Sequence, residues 1–324
     1  WRNDYLDLMN HINNNKSLMQ IGFNNESYDY PLLHHLINHF ESYKDFPGQE
    51  LAQAAYKKSQ EIIDMEFSAI ADKNKYIPQL DLYRVWHFNS QARACSLKDL
   101  EIAMCLPNVE EMPLHHTHWC KKGDENLILS YNLNDVYSTY KFFLVTLGKT
   151  NYSIYKGKNK IKLRQDIQKQ FGINVLNFGD VPMGYQLILN LYSKASGIPI
   201  PQLKQLKTPR EKIILKNCVP KWCDIQSKPF KQFLDKVNNS IINPNSAESV
   251  KNFGFSIITH EYKFDFGGGG CHGCCKPGIY ESDDDFIIVD YDIGSLYPSI
   301  AKSLGLYPEH LGSTFLKLYE KFIN

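Results

Sequence analysis

Apolar residues at Trp1, Tyr5, Met9 and Ile12 recur at helical spacing and predict a first helix over residues 1–13. Leu18 to Phe23 reads as a short strand, and Pro31 to Phe40 as a second helix. Pro31 suits a first helical turn, and Asp29, just ahead of it, stands where an N-cap carboxylate is favoured. Gly48 to Lys75, rich in Ala, Gln, Glu and Lys, predicts a long helix, and the alternation from Gln79 to Phe88 predicts a strand carrying Asp81. Ser96-Leu-Lys-Asp99 has the form of a capping box opening a helix to Leu106. Asp124 is placed to cap a helix through Leu147, and residues 161–170 and 181–194 read as helices ended by Gly172 and Gly197. Phe255 to Phe264 is strand-like. Ile279–Glu281 and Phe286–Asp292 then suggest a hairpin around the acidic turn Ser282–Asp285, and Leu296 to Ser303 a helix stopping near Gly305.

Composition adds bounds. The 324 residues suffice for two domains of ordinary size, and 43% hydrophobic content with 13% aromatic indicates packed cores rather than disorder. No run of 18 apolar residues and no signal-peptide pattern is present, so the expectation is a protein with no membrane partner in a cytoplasmic location. The eight cysteines match no secretory framework and are expected to be mostly free. Net charge is +1, yet residues 151–232 hold 15 Lys/Arg against Asp166, Asp180, Glu211 and Asp224, a local +11 that leaves −10 elsewhere. A basic middle between acidic ends suits a phosphate-backbone binder with carboxylate sites; a lysine-biased solvated surface is the plain alternative.

Chemistry concentrates in Phe286–Ile300, FIIVDYDIGSLYPSI. A β-favouring run delivers Asp290 and Asp292, a turn follows, and Pro298 sits in the first turn of a helix. Asp292-Ile-Gly-Ser295-Leu296-Tyr297-Pro298-Ser299 resembles motif A (DxxSLYPS) of the family B DNA polymerases. Earlier, Asn25-x-x-Tyr28-Asp29 resembles the Exo II motif of proofreading 3′–5′ exonucleases, and Tyr131-Asn-Leu-Asn-Asp135 resembles Exo III (YxxxD). Tyr131 and Asp135 lie four apart, on one helix face. The order Exo II, Exo III, motif A is that of this family in its phage-type form. SLKDLEIAMCLPNVEEMP, from Ser96, resembles the segment before the last exonuclease motif. Read alone, Asp29 is a helix cap and Asp135 a solvated helix residue.

The resemblance implies an α/β (α+β overall) chain: an RNase H-like 3′–5′ exonuclease domain over residues 1–150, a basic helical connector over 151–254, and the start of a polymerase palm over 255–324. By resemblance, Asp292, Asp29 and Asp135 are metal-binding catalytic residues, with two Mg2+ ions per active site. Tyr131 orients the attacking water, and Asp290 supports Asp292. Ser295 and Leu296 face the triphosphate of a dNTP, and Tyr297 packs under its sugar. Asn25 and Tyr28 hold the single-stranded primer end. Phe266-Gly267-Gly268-Gly269 resembles the YxGG-type loop that handles template DNA, with Phe266 in place of tyrosine. The implied partners are DNA primer-template and dNTPs; the reaction is two-metal nucleotidyl transfer with editing.

Besides Phe266, three of the family's motifs are missing. No Asp-x-Glu of Exo I occurs before Asn24, and neither motif B (KxxxNSxYG) nor motif C (YxDTD) is found. The chain begins at Trp1 and ends at Asn324, and is expected to be a piece of something longer that neither edits nor polymerises by itself. Two other readings stay open. One is a stand-alone RNase H-like exonuclease, against which SLYPS argues. The other is a non-catalytic, zinc-organised nucleic-acid-binding protein built on Cys271, His272, Cys274 and Cys275, or on the His115-His116-Thr117-His118-Trp119-Cys120 run.

Overall fold

A computed structural model describes residues 4–65, 69–115, 118, 120–246, 248–249, 253–267 and 269–323, the side chains to 321. Helix accounts for 48% and strand for 9%, so this mixed α and β chain builds its cores mainly from helices. It divides into two compact units, Trp1–Asn190 and Leu191–Asn324.

The first unit opens with α1 (Tyr5–Asn15), β1 (Gln20–Gly22), α2 (Asp29–Asn38), α3 (Phe40–Tyr43) and α4 (Gly48–Ile63). It continues through β2 (Gln79–Asp81), α5 (Leu82–Val85), α6 (Leu97–Ala103), α7 (Glu125–Thr146), α8 (Lys160–Phe171) and the start of α9 (Asp180–Ser196). The spacing that predicts α1 buries Tyr5, Met9 and Ile12 against Tyr30 and Ile77; Trp1 lies outside the described residues. A second cluster joins Leu80, Leu82, Val85, Leu100, Phe142 and Ile161. Each such side chain contributes about 1.5–3 kcal/mol by leaving water.

β1 and β2 pair in parallel, Ile21 opposite Leu80 and Gly22 opposite Asp81. The strand expected over Gln79–Phe88 ends at Asp81, because the Asp81 carboxylate accepts the Tyr83 N–H at 3.0 Å and opens α5. The helix expected to Lys75 ends at Ile63. Tyr28, not Asp29, occupies the N-cap of α2, and Asp29 sits in its first turn without a capping hydrogen bond. The Ser96–Asp99 box forms as expected, with Asp99 N–H donating to Ser96 Oγ at 3.0 Å and Ser96 N–H to Asp99 Oδ2 at 2.8 Å. Gly172 closes α8 at φ +72°.

Residues 151–190, ascribed by sequence to a connector, are part of the first unit. Arg164, fully buried, shows why. Its guanidinium donates to the carbonyls of Lys160 (2.9 Å), Val85 (3.0 Å) and Phe178 (2.7 Å) and meets Asp180 Oδ1 at 3.1 Å. One side chain thereby ties α8 and the loop before α9 to α5.

The second unit contains α10 (Ile200–Leu203), the antiparallel pair β3 (Ile213–Ile214) and β4 (Ile241–Ile242), and α11 (Lys228–Asn238). A three-stranded antiparallel sheet follows: β5 (Gly254–Thr259), β6 (Tyr262–Gly267) and β7 (Gly270–Cys274). Last come α12 (Leu296–Ser303) and α13 (Ser313–Ile323). The single strand expected over Phe255–Phe264 is two strands, folded back at His260, whose φ is +55°. Phe230 and Phe233 of α11 pack on the ring face of this sheet, Phe233 stacking on Phe266 at 4.0 Å.

The predicted strand Phe286–Asp292 is a correction: the segment has no regular structure and its side chains are exposed. A strand needs a neighbour to take its backbone hydrogen bonds. Here Ile288 N–H bonds locally, to Ser282 Oγ at 2.9 Å. The acidic turn itself forms, Asp283 Oδ1 accepting the N–H groups of Asp285 (2.9 Å) and Phe286 (2.8 Å). Among the described residues, no helix is long and apolar enough to cross a membrane.

Candidate active site

The ends of β1 and β2 support a loop, residues 23–28, held from below by Asp81. This fully buried carboxylate accepts the N–H of Asn24 at 2.9 Å and of Glu26 at 3.2 Å, besides that of Tyr83. Burial pushes its pKa up, and the backbone donors pull against that rise. Glu26, also buried, pairs with Lys75 and, at 2.5 Å, with Arg84, and accepts Asn177 Nδ2 at 2.9 Å. Gly22 is required by close approach, since a Cβ there would lie 2.6 Å from the Asn25 Cβ.

This scaffold presents Asn25 and Asp29 to a cleft of about 790 Å3, whose far wall is α7 with Asp135, Val136, Thr139 and Tyr140. Asn25 Nδ2 donates to Gln79 Oε1 at 2.8 Å, while its buried Oδ1, packed against Gly22, has no hydrogen-bond partner among the described residues. Asp29 keeps contact with solvent at the mouth, yet the protein crowding around it raises its pKa, against the pull of its own backbone N–H. Asp29 and Asp135 therefore share one cavity although they come from α2 and α7.

Lys98, from the first turn of α6, stands behind Asp135. Its Nζ is 2.6 Å from Asp135 Oδ1, 3.2 Å from Glu101 Oε1, and 4.8 Å from the centre of the Tyr131 ring. Burial alone would lower the lysine pKa, but the hydrogen bonds to Asp135 and Glu101 outweigh it and hold the ammonium charged. Burial, then the Asp135 carboxylate, raises the Tyr131 phenol. Sequence reading passed over Lys98 and Glu101; their signal is the capping box, which fixes the helical phase of α6. Tyr28 departs from expectation. Its hydroxyl is 2.7 Å from Ser59 Oγ of α4, and neither it nor Tyr131 lines the cleft.

The donor set can be tested against the implied Mg2+. Carboxylate and amide oxygens are the hard donors that ion prefers, and one or two protein carboxylates beside waters and substrate phosphate suffice for it. In donor chemistry, though not by any distance shown between them, Asp29 and Asp135 suit such an ion. A two-ion site needs more carboxylates than this cleft offers, and among the described residues no group of three or more His, Cys, Asp or Glu is placed to hold a metal.

In the second unit, Asp290 and Asp292 lie on the irregular exposed segment. Ser295 takes φ +54° and ψ +47° at the N-cap of α12. Leu296 is exposed, and the Tyr297 hydroxyl donates to Gly269 O at 3.3 Å. The Phe266 ring is engaged by α11, so it faces away from the polar side of the sheet. Gly269 lies in the β6–β7 turn; Gly268 is outside the described residues. Strand alternation separates the cysteine–histidine group, Cys271 falling on the ring face of β7 and His272 and Cys274 on the other. All eight cysteines are free. In the earlier run, His118 meets Asp124 Oδ2 at 3.1 Å, while His116, Thr117 and Trp119 lie outside the described residues.

Compared with known proteins, the chain matches no family model, no curated protein and no solved structure.

Proposed function

We propose that the first unit is the 3′–5′ editing portion, RNase H-like in kind, of a family B DNA polymerase, and that residues 255–324 open its palm. The observation that carries this reading is the meeting of Asn25, Asp29 and Asp135, from two separate sequence motifs, in one cleft. The second support is SLYPS after Asp292, which a stand-alone nuclease has no use for.

In this reading the 3′ end of a single strand enters the cleft. Asn25, tied to Gln79, braces the loop that leads into Asp29, and Asp29 and Asp135 would hold Mg2+. A bound Mg2+ supplies charge stabilisation at the scissile phosphate and a more acidic water. Lys98 fixes the Asp135 carboxylate; the orienting of a water by Tyr131, which does not line the cleft, is assigned on the resemblance alone. Asp29, its carboxylate disfavoured by the protein crowding around it, would gain from a cation. Asp292, Ser295, Leu296 and Tyr297 are assigned to the dNTP site on the resemblance alone.

The test is Mn2+ binding by this chain, followed by electron paramagnetic resonance. Asp29→Asn and Asp135→Asn are each expected to weaken the tightest site at least about tenfold. Wild-type affinity in both variants would overturn the assignment.

A further inference from the structure

A second cleft, of about 430 Å3, lies on another face of the same helix α7. Its floor is Met104, Leu106 and Pro107, and its rim carries Tyr137, Lys141 and Lys149. No acidic residue lines it, and among the described residues neither lysine has an ion-pair partner. Lys141 Nζ instead sits 5.1 Å from the centre of the Tyr137 ring. The two clefts have one helix between them. Asn132, Asp135, Thr139 and Phe143 face the carboxylate cleft, and Tyr137, Lys141, Leu144 and Val145 face the basic one.

The edge where they meet is apolar and open to solvent: Val136, 65% exposed, and Tyr140, 54%, belong to the wall of the carboxylate cleft, Tyr137, 44%, to the basic one, and Leu133, 68%, lies between them. A helix exposes such a stripe at a cost unless something lies on it. Single-stranded nucleic acid matches all three parts. Its bases stack on aromatic and apolar side chains, and its phosphates take lysines that have no acid of their own.

We propose that α7 is a saddle for single-stranded nucleic acid: the strand whose end occupies the carboxylate cleft crosses the Leu133–Tyr140 edge and sets its phosphates on Lys141 and Lys149. This rests on the editing reading of the first cleft and extends it to a binding track. The track is sequence-tolerant, because stacking and phosphate contacts read no base edge. With side chains a helix is about 10–12 Å across, so the crossing takes only a few nucleotides.

The experiment is fluorescence anisotropy of a labelled oligothymidylate of about 12 nucleotides, with chelator present so that nothing is cleaved. The double variant Lys141→Glu/Lys149→Glu is expected to lower the slope of log K against log salt by about 1.4, the share of two phosphate contacts on a single strand. Tyr137→Ala is expected to weaken binding about tenfold. Lys162→Glu/Lys169→Glu makes the same change of net charge on α8 and is expected to leave most of the slope in place. Because Lys141 and Lys149 reach solvent, melting temperature checks that the variants stay folded. An unchanged slope in Lys141→Glu/Lys149→Glu, or an equal fall in the α8 control, overturns the saddle while leaving the carboxylate cleft standing. If wild-type protein binds Mn2+ at Asp29 and Asp135 but no oligothymidylate, the saddle fails alone. Failure of both measurements removes the editing reading with it.

Discussion

Lys98 Nζ lies 2.6 Å from Asp135 Oδ1 and 3.2 Å from Glu101 Oε1, so one ammonium is shared between a cleft carboxylate and a fully buried one. Among the described residues Glu101 Oε2 has no hydrogen-bond partner, and the side chain is compensated by Lys98 and, at a long 3.5 Å, Asn134. Lys98→Met is expected to cost roughly 3–5 kcal/mol, the penalty for a buried charge that loses its partner. Urea unfolding measures it. Adding Glu101→Gln removes the stranded charge and is expected to recover much of the loss; a strictly additive double mutant would show that the two groups do not interact.

Asp29 gives a pH signature. Its folded pKa is raised, so the folded state holds its proton more tightly than the unfolded state does. Stability from this group is therefore greatest below the unfolded carboxylate range and is lost as pH rises through the folded value. Asp29→Asn removes that loss. The variant is expected to melt higher than wild type at neutral pH, with the gain fading as pH falls into the ordinary carboxylate range. Thermal melts across acidic to neutral pH check it, and a gain that grows on acidification would contradict the sign.

Gly22→Ala places a methyl 2.6 Å from the Asn25 Cβ, with strand on one side and loop on the other. Overpacking of this kind costs about 1–3 kcal/mol. The expected result is lower stability together with weaker oligothymidylate binding, since Asn25 moves with the loop. Lost stability with undisturbed binding would show that the loop absorbs the methyl without shifting Asn25.

Arg164→Met deletes donors to the carbonyls of Lys160, Val85 and Phe178 while nearly conserving volume. One buried and two partly buried carbonyls then lose a charged donor, at a cost of several kcal/mol in total. Hydrogen exchange is expected to quicken in α5 and α8 together. Quickening in α8 alone would mean that residues 151–190 hold to the first unit by other contacts.

Legibility in the sequence followed how local the determinant was. The Ser96–Asp99 box, the stop at Gly172 and the apolar spacing of Tyr5, Met9 and Ile12 are all decided within a few residues, and each forms as read. Long-range partners decided the rest. Gln79–Phe88 alternates like a strand, but Asp81 capping cuts it short. Phe286–Asp292 has the composition of a strand and no neighbour to pair with. The sequence singled out Asp29 and Asp135, and both line one cleft; that Lys98 rather than solvent meets Asp135 was not legible, because it depends on how α6 packs against α7. Tyr28 was misplaced for the same reason, its partner Ser59 lying on a helix whose use no local pattern announces.

The exposed run Phe286-Ile287-Ile288-Val289 has a consequence for colloidal behaviour. Four β-favouring side chains without proline or glycine form the kind of segment that stacks between copies into cross-β assemblies. It is bracketed by Asp283, Asp284 and Asp285 on one side and by Asp290 and Asp292 on the other. Those five carboxylates act as gatekeepers, since stacking identical copies would bring like charges into register. Replacing the five with asparagine would take that repulsion away and leave the run open to stacking between copies, so their place beside it matters as much for keeping copies of the chain apart as for any site they serve.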